Sequence, residues 1–206
     1  MTNQAAILVE PNKPLLLREI QWQPLQYGQV LVKIKASGIC GAQMQEVRGE
    51  KGKHYPRLLG HEACVEVVDV GLGVRNVQPG DRCVAHWRKG SGIECDSPKF
   101  KMGAEVYTSG QITTFSEYSV VSENRITKIP DETPTKLAAL LGCGLSTALG
   151  TIERESNLQM GESILIVGCG GLGVNLIVAA KLRHPSRISV VDVSDRREII
   201  ASIGGF

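Results

Sequence analysis

The stretch SILIVGCGGLGVNLIVAAKLR, residues 163 to 183, decides the class of this fold. An apolar strand run, ILIV, leads into a cluster of glycines, and a helical run, LGVNLIVAAKLR, leads out of it. Between them GCGGLG, Gly168 to Gly173, fits the pattern G-x-G-x-x-G. Glycine-rich turns are common, so the pattern acquires meaning from its setting. Here it leaves a strand and opens a helix, a second strand RISVVDV follows, and Asp192 lies 19 residues after Gly173 near that strand's end. SDRREIIASIG then reads as another helix. Strand, helix, strand and helix in this order form a βαβα unit with parallel strands and a right-handed crossover.

Each part of the turn has a physical purpose. Gly168 permits the sharp bend, Gly170 lets the backbone approach a pyrophosphate, and Gly173 allows helix and strand to pack closely. Gly171 and Leu172 complete the cofactor-binding turn, where unpaired N–H groups and the positive end of the helix suit an anion. Asp192 is suited to accept both ribose hydroxyls of an adenosine, and its charge would repel a 2′-phosphate. NAD is therefore favoured over NADP, although Arg196 and Arg197 keep NADP open. Cys169, inside the turn, reads as a small filler.

The rest of the chain sets the limits. It has 206 residues, 42% hydrophobic and 4% aromatic, with 23 basic and 21 acidic side chains giving a net charge of +2. That balance creates no field to recruit nucleic acid or an anionic membrane. MTNQAAILVEPNKP lacks the basic and apolar regions of a secretory signal. The uncharged run over 164–180 is interrupted by glycines and Asn175, so strand plus buried helix explains it better than a membrane span. No membrane partner and a cytoplasmic location are expected. The six cysteines (40, 64, 83, 95, 143, 169) show no regular spacing, which favours thiols or metal ligands over disulfides.

The first 130 residues are β-rich. AAILVE, QVLVKIKASG, ACVEVVDVG, DRCVAHW and TFSEYSVV are short Val- and Ile-rich runs separated by turn residues. RKGSGIECDSPKFKMGAEVYTSG reads as an exposed loop or a ragged hairpin. After Pro130, DETPTKLAALLG and GLSTALGTIERESNL read as helical pieces. Cys64 and Cys83 fall in strand runs and read as core, and His86 and His184 as structural or surface residues.

Three turn-bracketed residues, Cys40 in GICGAQ, His61 in LLGHEACVEVV and Cys143 in LLGCGLSTALG, are candidate metal ligands. Taken singly, each has a plainer reading as a buried thiol or a satisfied polar group. Together they form a Cys₂His set, which binds catalytic zinc with one position open to substrate or water.

GICG, GHEACVEVVDVG, VQPGDRCV, FSEYSVV, LLGCGLSTALG and IVGCGGLG occur in the order found in the zinc-dependent medium-chain alcohol dehydrogenases, and they span nearly the whole chain. The resemblance implies an α/β protein with a β-rich part. A GroES-like, β-barrel-type catalytic domain over residues 1–150 would be followed by the first βαβα unit of a Rossmann doubly wound sheet over 151–206. It implies Cys40, His61 and Cys143 as zinc ligands, with Glu62 beside the metal. The reaction implied is interconversion of an alcohol and an aldehyde or ketone by hydride transfer with NAD(H). The partner is a small-molecule alcohol or carbonyl substrate, and a full-length chain would be a homo-oligomer.

Three departures accompany the resemblance. The family commonly continues Cys-Gly-Ser/Thr-Asp, but here Cys40-Gly41 is followed by Ala42 and Gln43. The hydroxyl that passes a proton is absent, so water, Glu62 and His54 become the candidate routes. The carboxylate that holds the ligand histidine is replaced by an amide, expected to accept from the His61 ring N–H but to polarise it less. Only Cys95 lies between Val84 and Val121, so no Cys₄ structural zinc is expected. Family chains also run longer, and a lone βαβα unit cannot cover both faces of its sheet, so the chain reads as the front of a larger fold. Two other readings remain open: a truncated, inactive zinc-binding GroES-like module, and a metal-free member of the quinone-reductase type.

Overall fold

Alternating valines and isoleucines build the first part of the molecule. The computed structural model describes residues 3–51 and 54–203, and the chain divides into two units, at Gly142 and Cys143. The first unit contains β1 (Asn3–Leu8), β2 (Leu16–Trp22), β3 (Gln29–Ser37), α1 (Gly41–Val47), β4 (Arg57–Leu58) and β5 (Ala63–Val70). It continues through β6 (Arg82–Ala85), β7 (Lys99–Met102), β8 (Glu105–Thr108), β9 (Tyr118–Ser122), β10 (Ile126–Lys128) and α2 (Thr135–Ala138).

The strands form two five-stranded sheets, ordered β4-β1-β2-β7-β8 and β10-β6-β5-β3-β9. All their pairings are antiparallel. Val30 and Val32 of β3 pack with Val65 and Val67 of β5, Cys83 and Ala85 of β6, and Val121. Each of these valines contributes about 1.5–3 kcal/mol on full burial. Ile7, Ile20, Leu58 and Phe100 form a second cluster, in which Trp22 meets Phe100 edge-on at 5.8 Å.

Two elements escape the alternation rule. In β2 only Ile20 is fully buried, with Leu16 and Trp22 on its face half-buried, so the period of two in LLREIQW is faint. The polar stretch after Trp87 resolves into a loop and the hairpin β7–β8, turned at Gly103-Ala104 with Gly103 at φ +63°.

That loop is held by a short run of polar residues. The buried Glu123 carboxylate accepts the Arg75 N–H (2.6 Å) and Asn76 N–H (2.8 Å) on Oε1, and the Ile93 N–H (2.7 Å) on Oε2. Ser122 Oγ accepts from Cys95 N–H and donates to the Ile93 carbonyl. Glu94 is held by Asn124 Nδ2 and Arg125, both at 2.7 Å. Burial alone would raise the Glu123 pKa, but the N–H groups of Arg75, Asn76 and Ile93 outweigh it and hold the carboxyl below its ordinary range.

The second unit follows the order read from its glycine turn. Helical turns run through α3 (Ser146–Gly150) to Glu155, followed by β11 (Ser163–Val167), α4 (Gly171–Lys181), β12 (Arg187–Val191) and α5 (Arg197–Ser202). β11 and β12 are parallel and in register from Ser163↔Arg187 to Val167↔Val191. Ile166 and Ile188 point into a core with Ala148, Ile152, Ile177 and Ile200. Leu165, Val167 and Val191 are exposed. Among the described residues no helix is long and apolar enough to cross a membrane.

Because the folded Glu123 pKa lies below the unfolded one, its contribution is present above the unfolded value of about 4.3 and is lost as pH falls through the folded value. Glu123→Gln supplies an N–H₂ group where one of the three backbone donors needs an oxygen. It should cost about 1–3 kcal/mol in urea unfolding at pH 7 and flatten the acid limb of the stability profile. An unchanged acid limb would show that this carboxylate does not anchor the loop.

Candidate functional site

The candidate site in the first unit is assembled by one strand pair. β3 ends at Ser37, which pairs with Ala63 at the start of β5. Cys40 lies three residues beyond one partner and His61 two before the other, so pairing draws the two segments together. Ser37 Oγ bonds the Glu62 carbonyl (3.1 Å) and Thr114 Oγ1 (2.8 Å), and Gly38 N–H donates to the same carbonyl at 3.1 Å. Gly38 leaves room for the Glu62 side chain, since a Cβ there would lie 2.5 Å from Glu62 Oε1. Glu62 is buried behind this contact.

Cys40 caps α1 in extended conformation, φ −104° and ψ 156°. Gln43, three residues into the motif, turns its side chain back, and its Oε1 accepts the Cys40 N–H at 3.0 Å. The other end of the amide, Nε2, faces His61 Nδ1. This corrects the expectation that Gln43 accepts from His61. Its oxygen is committed to the helix cap, so the amide nitrogen meets the ring and donates.

His61 is half-buried. Burial first, and the Lys51 charge second, lower its pKa, which favours the neutral ring. Its Nε2 is buried and has no hydrogen-bond partner among the described residues. A neutral imidazole with an unpartnered buried nitrogen, joined through one side chain to a cysteine, fits the donor chemistry of a zinc site.

His54 is exposed and lines the same cleft as His61, a cavity of about 380 Å³ bordered also by Gln43, Glu46, Arg57 and Ile112. Glu46 and Arg57 form a salt bridge at 3.1 Å across it. Sequence reading missed both, because Glu46 projects from α1, a seven-residue helix with no apolar periodicity. Cys64 and Cys83 are fully buried, as strand runs implied, and burial pushes the Cys83 thiol up to about 12, out of the range of a nucleophile.

Gly142 closes the first unit against β6 and Glu62. A Cβ on it would lie 2.2 Å from the Ala85 carbonyl oxygen and 3.0 Å from Glu62 Cβ. Cys143 is the next residue and begins the second unit, within the π turn Leu141–Leu145. Ser146 Oγ donates to its carbonyl at 3.1 Å. Such turns widen a helix locally and recur at functional positions.

In the second unit the glycine turn has the form read from sequence. Gly168 has φ +92°, and a Cβ on Gly173 would sit 2.0 Å from the Gly168 carbonyl oxygen. A Cβ on Gly170 or Gly171 meets nothing within 4 Å, so the backbone at the head of α4 is open. That open cradle fits a pyrophosphate, and Leu172 beside it is exposed. Cys169 is buried filler.

Asp192 reaches into this turn: Oδ2 accepts the Cys169 N–H at 2.5 Å and Oδ1 the Ser194 N–H at 2.8 Å. These donors, Ser194 first, hold its carboxyl below the ordinary range. Arg196 lies 3.9 Å from Oδ2, while Arg197 is paired with Asp195 at 2.7 Å.

Residues 26–131 match the family model of the alcohol dehydrogenase GroES-like domain. Among curated proteins, the chain is 32% identical to an S-(hydroxymethyl)glutathione dehydrogenase of Photobacterium damsela subsp. piscicida. It is 33% identical to another from Synechocystis sp.. Each alignment covers 94% of this chain and 60% of the relative, so the chain spans about three fifths of their length. Among solved structures, an alcohol dehydrogenase zinc-binding domain protein from Burkholderia ambifaria aligns with TM-score 0.91 at 22% identity. That alignment covers 100% of this chain and 63% of the other. Benzyl alcohol dehydrogenase from Acinetobacter calcoaceticus aligns with TM-score 0.86 at 24% identity, covering 100% and 62%. The strand order, the family-model match and the aligned relatives agree: the chain belongs to the zinc-dependent medium-chain alcohol dehydrogenase family.

Proposed function

We propose that the protein interconverts an alcohol and an aldehyde or ketone by hydride transfer with NAD(H), using zinc held by Cys40, His61 and Cys143. The observation that carries this reading is the buried, unpartnered Nε2 of a neutral His61, tied to the Cys40 segment through Gln43. Cys143, the third ligand that the family resemblance implies, would complete a Cys₂His set. The relatives of similar sequence are dehydrogenases by name, which supports an alcohol oxidoreductase.

Bound zinc supplies Lewis acidity toward the substrate oxygen, and NAD supplies the hydride acceptor. The chain's own residues do the rest. Gly168, Gly170, Gly171, Leu172 and Gly173 offer backbone N–H groups to a pyrophosphate, and Asp192 presents its carboxylate for the adenosine ribose, which favours NAD over NADP. Both Asp192 oxygens hold a backbone N–H, which fixes their direction and leaves a further lone pair on each. Glu62 places a buried carboxyl next to the ligand His61. Ala42 offers no hydroxyl, so His54, in the cleft with His61, is the side chain assigned to carry the proton toward solvent.

Four measurements test this on a full-length protein. Metal analysis should find a single zinc ion per chain, with His61→Ala reducing retention by about tenfold or more. Zinc-free protein with native activity would eliminate the reading in favour of the metal-free alternative. Gly170→Val should weaken NADH binding by about tenfold or more without unfolding the chain, because its side chain enters only the open cradle. Gly173→Ala, by contrast, should cost about 1–3 kcal/mol of stability through its clash with the Gly168 carbonyl. Equal NADH affinity in wild type and Gly170→Val would remove the dinucleotide from this turn. Finally, Ala42→Ser should speed proton-limited turnover and shift the pH–rate profile. An unchanged profile would mean that the missing hydroxyl is not limiting.

A further inference from the structure

We infer that Gln43 holds His61, in the metal-free chain, in the ring tautomer that cannot ligate a metal at Nε2, so that zinc entry requires the Gln43 amide to turn over and release the Cys40 N–H. The inference rests on Cys40 and His61 being metal ligands, and adds a positioning role for Gln43 that a carboxylate at this position would not have.

Gln43 is 2% exposed, so its amide answers to the groups enclosed with it rather than to water. Two of these make demands. The backbone N–H of Cys40, at the head of α1, takes Oε1 at 3.0 Å. The amide nitrogen is thereby directed at His61 Nδ1. An amide N–H₂ only donates, so Nδ1 must accept with its lone pair. A neutral imidazole carries one proton, which then sits on Nε2, the ring nitrogen that is buried without a partner.

A metal takes the Nε2 lone pair. For that lone pair to exist on a neutral ring, the proton must leave Nε2 and Nδ1 must gain one, with no net change in charge. Nδ1–H then faces the amide N–H₂, donor against donor. Turning the amide brings Oε1 to Nδ1–H but presents N–H₂ to the Cys40 N–H. There is one carbonyl oxygen for two donors, and either the helix cap or the ligand tautomer goes unsatisfied. A carboxylate has an oxygen for each. The N-terminal turn of α1, which carries Cys40, is therefore coupled to the state of the His61 ring through a single side chain.

The test uses the full chain labelled with ¹⁵N-histidine, whose ring shifts report which nitrogen is protonated. Metal-free wild type should show the proton of His61 on Nε2. Addition of zinc alone should move it to Nδ1 and speed deuterium exchange of the Cys40 amide. Metal-free Gln43→Glu, the isosteric carboxylate, should carry the proton on Nδ1 and hold zinc about tenfold or more tighter in chelator competition. Gln43→Asp provides a carboxylate on a shorter side chain should Gln43→Glu disturb α1. Metal-free wild type with the proton on Nδ1 would overturn the inference, as would carboxylate variants that match wild type in both tautomer and zinc affinity. If zinc binds none of the three chains, the ligand reading fails by itself, and the metal-free ring tautomers still decide the assignment to Gln43.

Discussion

The first unit's site depends on the register of β3 against β5. Ser37 faces Ala63 at the end of a ladder that contains two irregularities, between Leu31 and Val32 and between Ile34 and Ala36. Because side chains alternate along a strand, a slip of one residue would turn Val30 and Val32 from the core to the other face. The buried Val65 and Val67 of β5 make the same demand from the other side. Hydrophobic burial therefore sets the register, and the register delivers Cys40 and His61 to one place. Bulges at such ladder ends re-aim the chain, which suits a strand that must release into α1 within a few residues.

Polar chemistry enters only where the ladder stops. Glu62, Gln43 and the Ser37–Thr114 pair occupy the ladder's end, all enclosed or partly so, and Ser37 and Gln43 each bond both a backbone group and a side chain there. Small residues make room for them: Gly38 against the Glu62 carboxyl and Gly142 against the Ala85 carbonyl. The second unit uses the same device at its glycine turn, where Gly173 lies against the Gly168 carbonyl and Asp192 ties β12 to Cys169. In both units a close approach to a backbone carbonyl that a Cβ would block sits near a carboxylate, Glu62 in the first and Asp192 in the second.

Much of this was legible in the residues. The runs that became β3 and β5 largely alternate because one face of each is more deeply buried, those of β6 and β9 are short runs buried on both faces, and GCGGLG lies between a strand and a helix as its glycines require. The elements that escaped lack that signal. β2 buries one residue, and α1 begins with glycine and presents Gln43 as its buried residue. The pair Glu46 and Arg57 was invisible for the same reason. The direction of the Gln43 amide could not be read either. It is decided by a backbone N–H three residues earlier, a donor every residue but proline carries and no residue type advertises. Asp192 shows the converse case: its position was legible, but its bonds to Cys169 and Ser194 depend on how β12 ends against the turn.

The loop over residues 87–98 gains further meaning from its anchor. The resemblance places it where many family members staple a lobe with four cysteines and zinc, and this chain has only the buried Cys95 there. Glu123 and its neighbours hold the loop instead, through backbone N–H groups and the Glu94–Arg125 pair. A sulfur-metal staple fails by oxidation or by loss of its ion to a competitor. A carboxylate clasp fails by protonation alone. The contacts that hold this lobe involve neither a sulfur ligand nor a metal, so loss of an ion does not act on them, whereas protonation of Glu123 does.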